Sequence, residues 1–195
     1  MLYIRFRFYY IMLKNDRRIV RTHDLLAKAL IELTLERGYD AVTIRDITER
    51  ADVGYATFFR HYADKEALLQ EVLHVFVEEL TEKVSNSGNE ADAAEEGRVI
   101  FEYIYQHSAL CRLLLASKGT STILKTVEQS GHMTKRLPSQ ETVDTKVPVE
   151  IALNHWLAAT IALIDWWLQH EMPYTPAQMG EIYRKLIVLP TQALI

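Results

Sequence analysis

Two short helical patterns separated by only three residues, "DVG" at 52–54, restrict the fold more than any other part of the sequence. Thr43 is a suitable N-cap for a helix that ends near Ala51, and a second short helix follows from about Gly54 to Tyr62. Two short helices joined by so tight a turn are the arrangement of a helix-turn-helix, in which the second helix enters the DNA major groove. This stretch therefore predicts a small helical unit with one helix presented to a partner.

The flanking segments predict two longer helices that complete this unit. The segment 17–37 repeats apolar residues at spacings of three or four, and Gly38 follows as the expected C-terminal stop. Asp46 lies three residues after the predicted cap, a weaker form of the capping box. Asp64 is suited to cap the next helix, which runs to about residue 84. The apolar stripe of the first helix consists of Ile19, His23, Leu26, Leu30 and Leu33.

An aromatic run, "FFRHY" at 58–62, divides between the two sides of the second short helix. Phe58 and Tyr62 are four residues apart, so they share a face and are expected to pack into the core. Phe59 and His61 lie on other faces of the helix, so these four residues cannot all belong to the core. The run thus predicts both a core and a contact surface.

The rest of the chain is also predicted to be helical. Apolar periodicity predicts helices near 92–106, 108–117, 119–136, 148–170 and 176–189, and a polar stretch at 85–97 is the best candidate for a domain boundary. No run alternates in the manner of a strand, and no internal repeat is evident. The predicted fold class is all-α.

Composition favours a soluble protein whose positive surface, if it binds nucleic acid, is local. Hydrophobic residues make up 49% and charged residues 25% of the chain, with a net charge of −4. The single Cys111 lies in an apolar run and indicates a reducing compartment, so a cytoplasmic location is expected. The apolar segment 151–168 contains three polar side chains that are costly in lipid, which favours a buried helix over a membrane span.

The N-terminal segment carries a local excess of positive charge that can form a basic arm for phosphate or minor-groove contacts. It lacks an uninterrupted apolar core and a small-residue cleavage site, so a secretory signal is not expected. Met12 is an alternative start, in which case residues 1–11 do not belong to the natural protein. The six basic residues before position 22 are Arg5, Arg7, Lys14, Arg17, Arg18 and Arg21.

The stretch "ALIELTLERGYDAVTIRDITERADVGYATFFRHYADKEALLQEVL" resembles the tetracycline-repressor (TetR) family of transcriptional regulators. The shared features are a helix ending in Gly, a Thr that opens the next helix, a short turn, an aromatic pair followed by His and an aromatic, and Lys-Glu-x-Leu. The resemblance implies a three-helix DNA-binding domain at 1–63, joined by a connecting helix to a helical ligand-binding and dimerisation domain at 64–195. It further implies a repressor that binds a palindromic operator as a homodimer, through helices near 148–170 and 176–189, and is released by a small-molecule inducer.

The resemblance also implies roles for individual residues. Phe59 and His61 are expected against the DNA backbone, Lys65 reaches phosphate, and Thr43 offers a hydroxyl and a helix N-terminus to phosphate. Base reading is expected from the exposed early part of the second short helix, with a further contribution from the helix before it. The full set of expected DNA-binding residues is Thr43, Arg45, Gly54, Tyr55, Ala56, Thr57, Phe59, Arg60, His61 and Lys65.

Two residues depart from the family pattern. The family commonly has Gly at the position of Asp52, where the turn often needs positive φ, and Asp tolerates that conformation while adding negative charge beside DNA. The family commonly has Tyr at the position of Phe59, so a phosphate contact through a hydroxyl is absent here.

The C-terminal part offers candidates for a small-molecule pocket, although plain core packing explains each of them equally well. No catalytic motif, phosphate-binding loop, cofactor signature or metal-ligand cluster is present in the sequence, so no enzyme activity is predicted. Two other readings stay open: a helical scaffold that never meets DNA, and an enzyme in the C-terminal half. The pocket candidates are Phe101, Tyr105, His107, Cys111, Trp156 and Trp166.

Overall fold

The computed structural model describes residues 17–86, 92–129 and 147–193, and the regular structure within these ranges is helical, which confirms the all-α prediction. The chain divides into two compact units, the first ending at Phe76 and the second beginning at Val77. The fourth helix crosses this division, so the predicted domain boundary after residue 63 stays a prediction. The basic arm and the alternative start at Met12 lie outside the described residues, apart from the arm's last arginines in the first helix.

The first unit contains three complete helices and most of a fourth. They are α1 (Arg17–Arg37), α2 (Ile44–Ala51), α3 (Tyr55–His61) and α4 (Lys65–Asn86), of which the part up to Phe76 belongs here. The second unit contains the rest of α4 together with α5 (Ala93–Gln106), α6 (Ser108–Gln129), α7 (Val149–Gln169), α8 (Pro176–Tyr183) and α9 (Leu189–Gln192).

Short-range signals set the helix ends of the first unit as predicted. Gly38 has a φ of 82°, the left-handed conformation that ends α1. Thr43 caps α2 in a complete capping box, in which the Asp46 N–H donates to Thr43 Oγ1 at 3.2 Å and the Thr43 N–H donates to Asp46 Oδ2 at 2.8 Å. The Ala67 N–H donates to Asp64 Oδ1 at 2.7 Å at the start of α4.

The core of the first unit is built from the apolar faces of these four helices. Ile47 and Phe58 are fully buried, and burying a side chain of this size stabilises the fold by about 1.5–3 kcal/mol. Ile19 is 38% exposed, so the buried part of the predicted α1 stripe begins about one turn later. The largest fully buried side chains here are Leu26, Leu30, Ile47, Phe58, Leu68, Leu69 and Leu73.

Two glycines bring α5 and α8 into close contact in the second unit. A Cβ added at Gly180 would lie 2.4 Å from the Ala94 carbonyl oxygen, and one at Gly97 would lie 2.8 Å from the Cα of Gly180. Next to this crossing Tyr183 is fully buried, and its hydroxyl donates to Glu96 Oε1 at 3.0 Å. The absence of side chains at the two glycines is what lets the two backbones approach this closely.

Helix boundaries in the second unit differ from the sequence prediction at two places. The separate helices predicted at 108–117 and 119–136 are one continuous α6 up to Gln129, since a lone glycine at 119 weakens a helix without ending it. The helix predicted at 176–189 is interrupted by a π-helical turn, Arg184–Val188, in which the Leu189 N–H donates to the Arg184 carbonyl. Pro190 follows directly, and widening the preceding turn relieves the clash of its ring with the carbonyl four residues earlier.

Helix α7 is the most apolar element of the described chain. By length and composition alone it could cross a membrane, a test that core helices of folded proteins also pass. Its Trp167 is fully buried, meets the Phe101 ring edge-on at 5.2 Å, and donates through Nε1 to the Tyr174 carbonyl at 3.0 Å. These contacts are those of a core helix.

Candidate nucleic-acid interface

The turn between α2 and α3 has the geometry that the sequence predicts. Asp52 adopts φ 53° and ψ 44°, the left-handed conformation that is expected from the sequence at this turn position. Its N–H donates to the Glu49 carbonyl at 3.3 Å, and the Val53 N–H donates to the Thr48 carbonyl at 3.0 Å. Gly54 is the N-cap of α3 without a side-chain cap. The turn therefore closes on backbone hydrogen bonds and leaves the Asp52 carboxylate exposed.

Helix α3 separates its aromatic residues onto two sides. Phe58 and Tyr62 are buried, as predicted, with their rings 5.7 Å apart. Tyr55 and Phe59 are 54% and 46% exposed, and their rings meet edge-on at 5.2 Å. Two large apolar side chains are thus left in solvent, and the buried pair holds the helix that carries them.

Polar side chains on α2 and α3 are exposed as well. Arg60 donates through Nη2 to Thr57 Oγ1 at 3.0 Å, one turn earlier on α3. Arg45 on α2 is exposed and pairs with Glu49 at 2.9 Å. Ala56 is exposed beside them. The structure therefore leaves most of the predicted base-reading side chains exposed and Thr57 partly exposed, with the Arg60 guanidinium held close to Thr57.

His61 is linked to α1 through a chain of three polar side chains. His61 Nδ1 lies 3.1 Å from His23 Nε2, and the Tyr62 hydroxyl lies 2.8 Å from His23 Nδ1. Burial lowers the pKa of His61, with a smaller contribution from Arg60, and burial and then His61 lower the pKa of His23. Both imidazoles are therefore favoured in their neutral forms near neutral pH.

Lys65 is tied to the loop that precedes α2. Its ammonium donates to the carbonyls of Tyr39 and Val42, at 2.8 Å each, and lies 4.1 Å from the centre of the Tyr39 ring. The Tyr39 hydroxyl in turn donates to Glu66 Oε2 at 2.8 Å. Two of the three ammonium donors thus hold the segment leading to Thr43, which leaves one for a phosphate.

Ion pairs join α1 to α2. Arg50 binds Glu36 through two hydrogen bonds of 2.8 Å, and Arg37 lies 2.8 Å from Asp46 Oδ2. Hydrogen bonds from Thr43 and then Arg37 hold the pKa of Asp46 well below its usual range. These pairs and the His23 contact were not predicted from the sequence. The one available signal was a histidine in the apolar stripe of α1.

The ring contacts of the six pocket candidates place them in different local surroundings. Phe101 and Tyr105 both lie near Trp167, with ring centres 5.2 and 6.4 Å away, but Tyr105 is largely exposed. The His107 ring packs on Tyr103 at 4.4 Å, and Trp156 lies near Tyr183 at 6.3 Å.

The remaining two candidates lie at opposite extremes of exposure. Trp166 is exposed and stacks on His170 at 4.4 Å. Cys111 is buried, and its burial is the main cause that raises the pKa of the thiol to about 12, which keeps it protonated. Among the described residues no group of three or more His, Cys, Asp and Glu side chains is placed to hold a metal ion.

Two family profiles match the chain. One, described as bacterial regulatory proteins of the tetR family, matches residues 26–72. The other, described as a transcriptional regulator C-terminal region, matches residues 93–188. One match lies within each of the two units.

Curated relatives are similar over shorter stretches. The uncharacterized HTH-type regulator YxbF of Bacillus subtilis is 36% identical over 88 residues, which are 44% of this chain and 23% of YxbF. YdeS of the same organism is 26% identical over 119 residues, 61% of this chain and 54% of YdeS. The regulator TcmR of Streptomyces glaucescens is 42% identical over 52 residues, 27% of this chain and 23% of TcmR. The chain thus spans about half or less of the length of the curated relatives it matches.

Solved structures share the fold over most of the chain. A putative TetR-family regulator from Syntrophomonas wolfei has a TM-score of 0.70 at 20% identity, covering 91% of this chain and 98% of its own. A TetR regulator from Streptococcus agalactiae has a TM-score of 0.62 at 25% identity, covering 88% and 96%. The helical architecture is therefore shared along nearly the whole chain.

Proposed function

The chain belongs to the tetR family of bacterial regulatory proteins, and we propose on that basis that it is a sequence-specific DNA-binding transcriptional regulator rather than an enzyme. The observation that carries the proposal is the two-sided α3, which buries Phe58 and Tyr62 while leaving Tyr55, Phe59 and Arg60 in solvent. Exposed apolar side chains that touch each other mark interaction sites, and the second helix of a helix-turn-helix is the one that enters the major groove. A regulator of this kind acts on chromosomal DNA, so a cytoplasmic location follows.

The proposed interface divides into residues that read bases and residues that position the protein. Arg60 can bond bidentately to guanine, and the methyl groups of Ala56 and Thr57 can contact thymine. Tyr55 and Arg45 reach base edges or phosphates. The positioning contacts to the DNA backbone come from Thr43, Gly54, Phe59, His61 and Lys65.

Selection of bound sites from random DNA tests the proposal. We expect a recurring sequence with two-fold symmetry, bound with an affinity that falls steeply as salt rises. A helical scaffold or an enzyme in the C-terminal half predicts no enrichment. Failure to enrich any sequence, with folded protein and no added ligand, contradicts the proposal.

The proposed homodimer uses α7 and the C-terminal helices. Ile151, His155, Ala162 and Trp166 are exposed and spaced by four, seven and four residues, so they share one side of α7. Leu186, 67% exposed, and Leu189 continue the apolar exposure at the end of the chain. A dimer that buries these side chains places two copies of α3 on the half-sites of a palindrome, about 34 Å apart.

Sedimentation at micromolar concentration tests the dimer. Leu186→Glu is expected to give monomers with native helix content, because a carboxylate in an apolar interface is costly to bury. Leu35→Glu, the same change at an exposed leucine on α1, is the matched control and should leave the dimer intact. A wild type that is monomeric at these concentrations contradicts the proposed interface.

The second unit is proposed to bind a small molecule that changes operator affinity, with the shift carried by α4. Relatives differ in the direction of control, since DhaR of Mycobacterium sp. GP1 is a transcriptional repressor and DhaS is an operon activator. We propose repression relieved by an inducer, with binding among Phe101, Tyr105, His107, Cys111, Trp156 and Trp166. A structure of FadR from Bacillus subtilis in complex with stearoyl-CoA shares the fold at 17% identity, so long-chain acyl-CoA belongs in the first ligand panel.

Release of labelled operator during titration with each ligand tests this part. An inducer lowers operator affinity and raises the thermal midpoint of the free protein. A ligand that raises operator affinity instead indicates a co-repressor.

A further inference from the structure

Three side chains connect the first helix of the unit to the last turn of α3. The Tyr62 hydroxyl lies 2.8 Å from His23 Nδ1, and His23 Nε2 lies 3.1 Å from His61 Nδ1. The two imidazoles meet nearly edge-on, with ring centres 4.7 Å apart and planes at 77°. Both distances fit hydrogen bonds, so the two His23 nitrogens and His61 Nδ1 each have a donor or acceptor role that depends on its neighbour.

The hydroxyl of Tyr62 sets the direction of this chain. A phenol is a good donor with a weakly basic oxygen, whereas an unprotonated imidazole nitrogen is a good acceptor, so the hydroxyl donates to His23 Nδ1. His23 then carries its proton on Nε2 and donates to His61 Nδ1, which requires the His61 proton to be on Nε2. In this arrangement both nitrogens of His23 and Nδ1 of His61 have partners while both rings are neutral.

We propose that His23 is a positioning residue for DNA binding, which fixes the ring and the tautomer of His61 so that its Nε2–H is a donor to a DNA phosphate. The inference rests on the proposed function, since it assigns a donor atom to a residue of that interface. The reverse tautomer of His61 would present a lone pair to the phosphate and repel it. A donor held in place loses less conformational freedom on binding than a free one.

The charged groups around the pair leave this neutral arrangement in place. Arg60, adjacent on α3, lowers the pKa of His61, and burial is the larger cause for both rings. Asp24, adjacent to His23 on α1, has its pKa raised to about 6 by burial, so it too is only partly charged in mild acid. At pH 8 both imidazoles are therefore neutral.

The first measurement needs no DNA. Nitrogen-15 NMR of the full chain at pH 8 distinguishes the two tautomers of a neutral histidine. We expect the proton on Nε2 in both His23 and His61, and in Tyr62→Phe we expect the His23 ring to lose its single tautomer. A His61 ring protonated on Nδ1 overturns the proposal whether or not the protein binds DNA.

The second measurement uses two substitutions of His23 that separate its two nitrogens. The amide nitrogen of glutamine can occupy the position of His Nε2, whereas that of asparagine reaches only the position of Nδ1. His23→Gln should therefore keep the donor to His61, and His23→Asn should lose it. His74→Asn, an exposed histidine on α4, is the matched control.

Affinity for the selected operator is measured for these variants and for a double-mutant cycle with His61→Ala. We expect His61→Ala to lower operator affinity about tenfold, since it removes a hydrogen bond to a charged group. We expect His23→Asn to lower operator affinity several-fold at most. In the His61→Ala background, His23→Asn should cause no further loss of affinity. As a single substitution, His23→Gln should bind the operator within about twofold of wild type.

The outcomes separate this proposal from the proposed function. A wild type that binds no DNA contradicts the function, while the tautomer measurement still decides the geometry. Operator binding with equal losses from His23→Asn in both backgrounds shows a structural role only and overturns the proposal. Unchanged affinity of His61→Ala overturns it as well, because the donor atom then has no phosphate.

Discussion

The turn between α2 and α3 and the crossing of α5 with α8 are both tight, but different kinds of interaction produce them. The turn is closed by residues adjacent in sequence, with Asp52 in the left-handed conformation and two backbone hydrogen bonds. The crossing depends on Gly97 and Gly180, and the hydrogen bond beside it joins Tyr183 to Glu96 across 87 positions. Residues adjacent in sequence close the turn, whereas the lack of a side chain at two positions distant in sequence allows the crossing.

This difference has a functional consequence. A helix fixed by local signals can present a constant set of side chains while the surface residues around it change. A crossing fixed by two glycines has no such tolerance, since any side chain meets backbone. We therefore expect substitutions to separate cleanly into stability and binding effects on α3, and to affect stability alone at the crossing.

The largest expected effect comes from adjacent phenylalanines on α3. Phe58→Ala should lower the free energy of unfolding by about 3–5 kcal/mol, because it empties a fully buried site. Phe59→Ala, at a site 46% exposed, should change it by less than about 1 kcal/mol while weakening operator binding. Denaturant unfolding and anisotropy titration measure the two quantities. Similar stability losses in both variants would contradict the assigned faces.

At the crossing, Gly180→Ala should lower the free energy of unfolding by about 3 kcal/mol, since overpacking against backbone cannot be relieved by a side-chain movement. The added Cβ would lie 2.4 Å from the Ala94 carbonyl oxygen and 2.7 Å from the Arg98 nitrogen. Gly54→Ala is the matched control, because its Cβ would meet only Thr57 Oγ1 at 3.5 Å. A stable Gly180→Ala protein would show that the helices can separate at no cost.

A smaller effect is expected at Lys65. Lys65→Met removes two hydrogen bonds to the loop before α2 and should lower the free energy of unfolding by about 1–2 kcal/mol. Operator and unrelated DNA should lose affinity by similar factors, because a phosphate contact and the position of Thr43 are lost together. Loss for the operator alone would assign Lys65 to base reading. Lys28→Met, an exposed lysine on α1, is the control.

The smallest effect is expected at Asp52. Asp52→Gly should raise the free energy of unfolding by about 0.5–1 kcal/mol, since glycine adopts the left-handed conformation without strain. Asp52→Asn keeps the backbone preference and removes only the charge. Equal gains in DNA affinity from both variants assign the effect to charge, and a gain from glycine alone assigns it to the backbone.

The sequence predicted what depends on neighbouring residues. The stop at Gly38, the capping box of Thr43 and Asp46, and the two faces of α3 each follow from residue types within a few positions. The contact of His23 with His61 spans 38 positions, and nothing in either segment indicates the other. The six pocket candidates stay a prediction, since an aromatic residue on a helix does not specify which other helix it faces.

Arg60 offers the most direct test that α3 reads DNA sequence. Competition anisotropy compares wild type and Arg60→Ala on the selected operator and on versions with each G·C pair replaced in turn. Wild type should discriminate against replacement at one guanine by about 1–3 kcal/mol, and Arg60→Ala should lose that discrimination while retaining the others. If Arg60→Ala keeps the same preference at every position, or if wild type binds all sequences alike, α3 is not the helix that reads the operator.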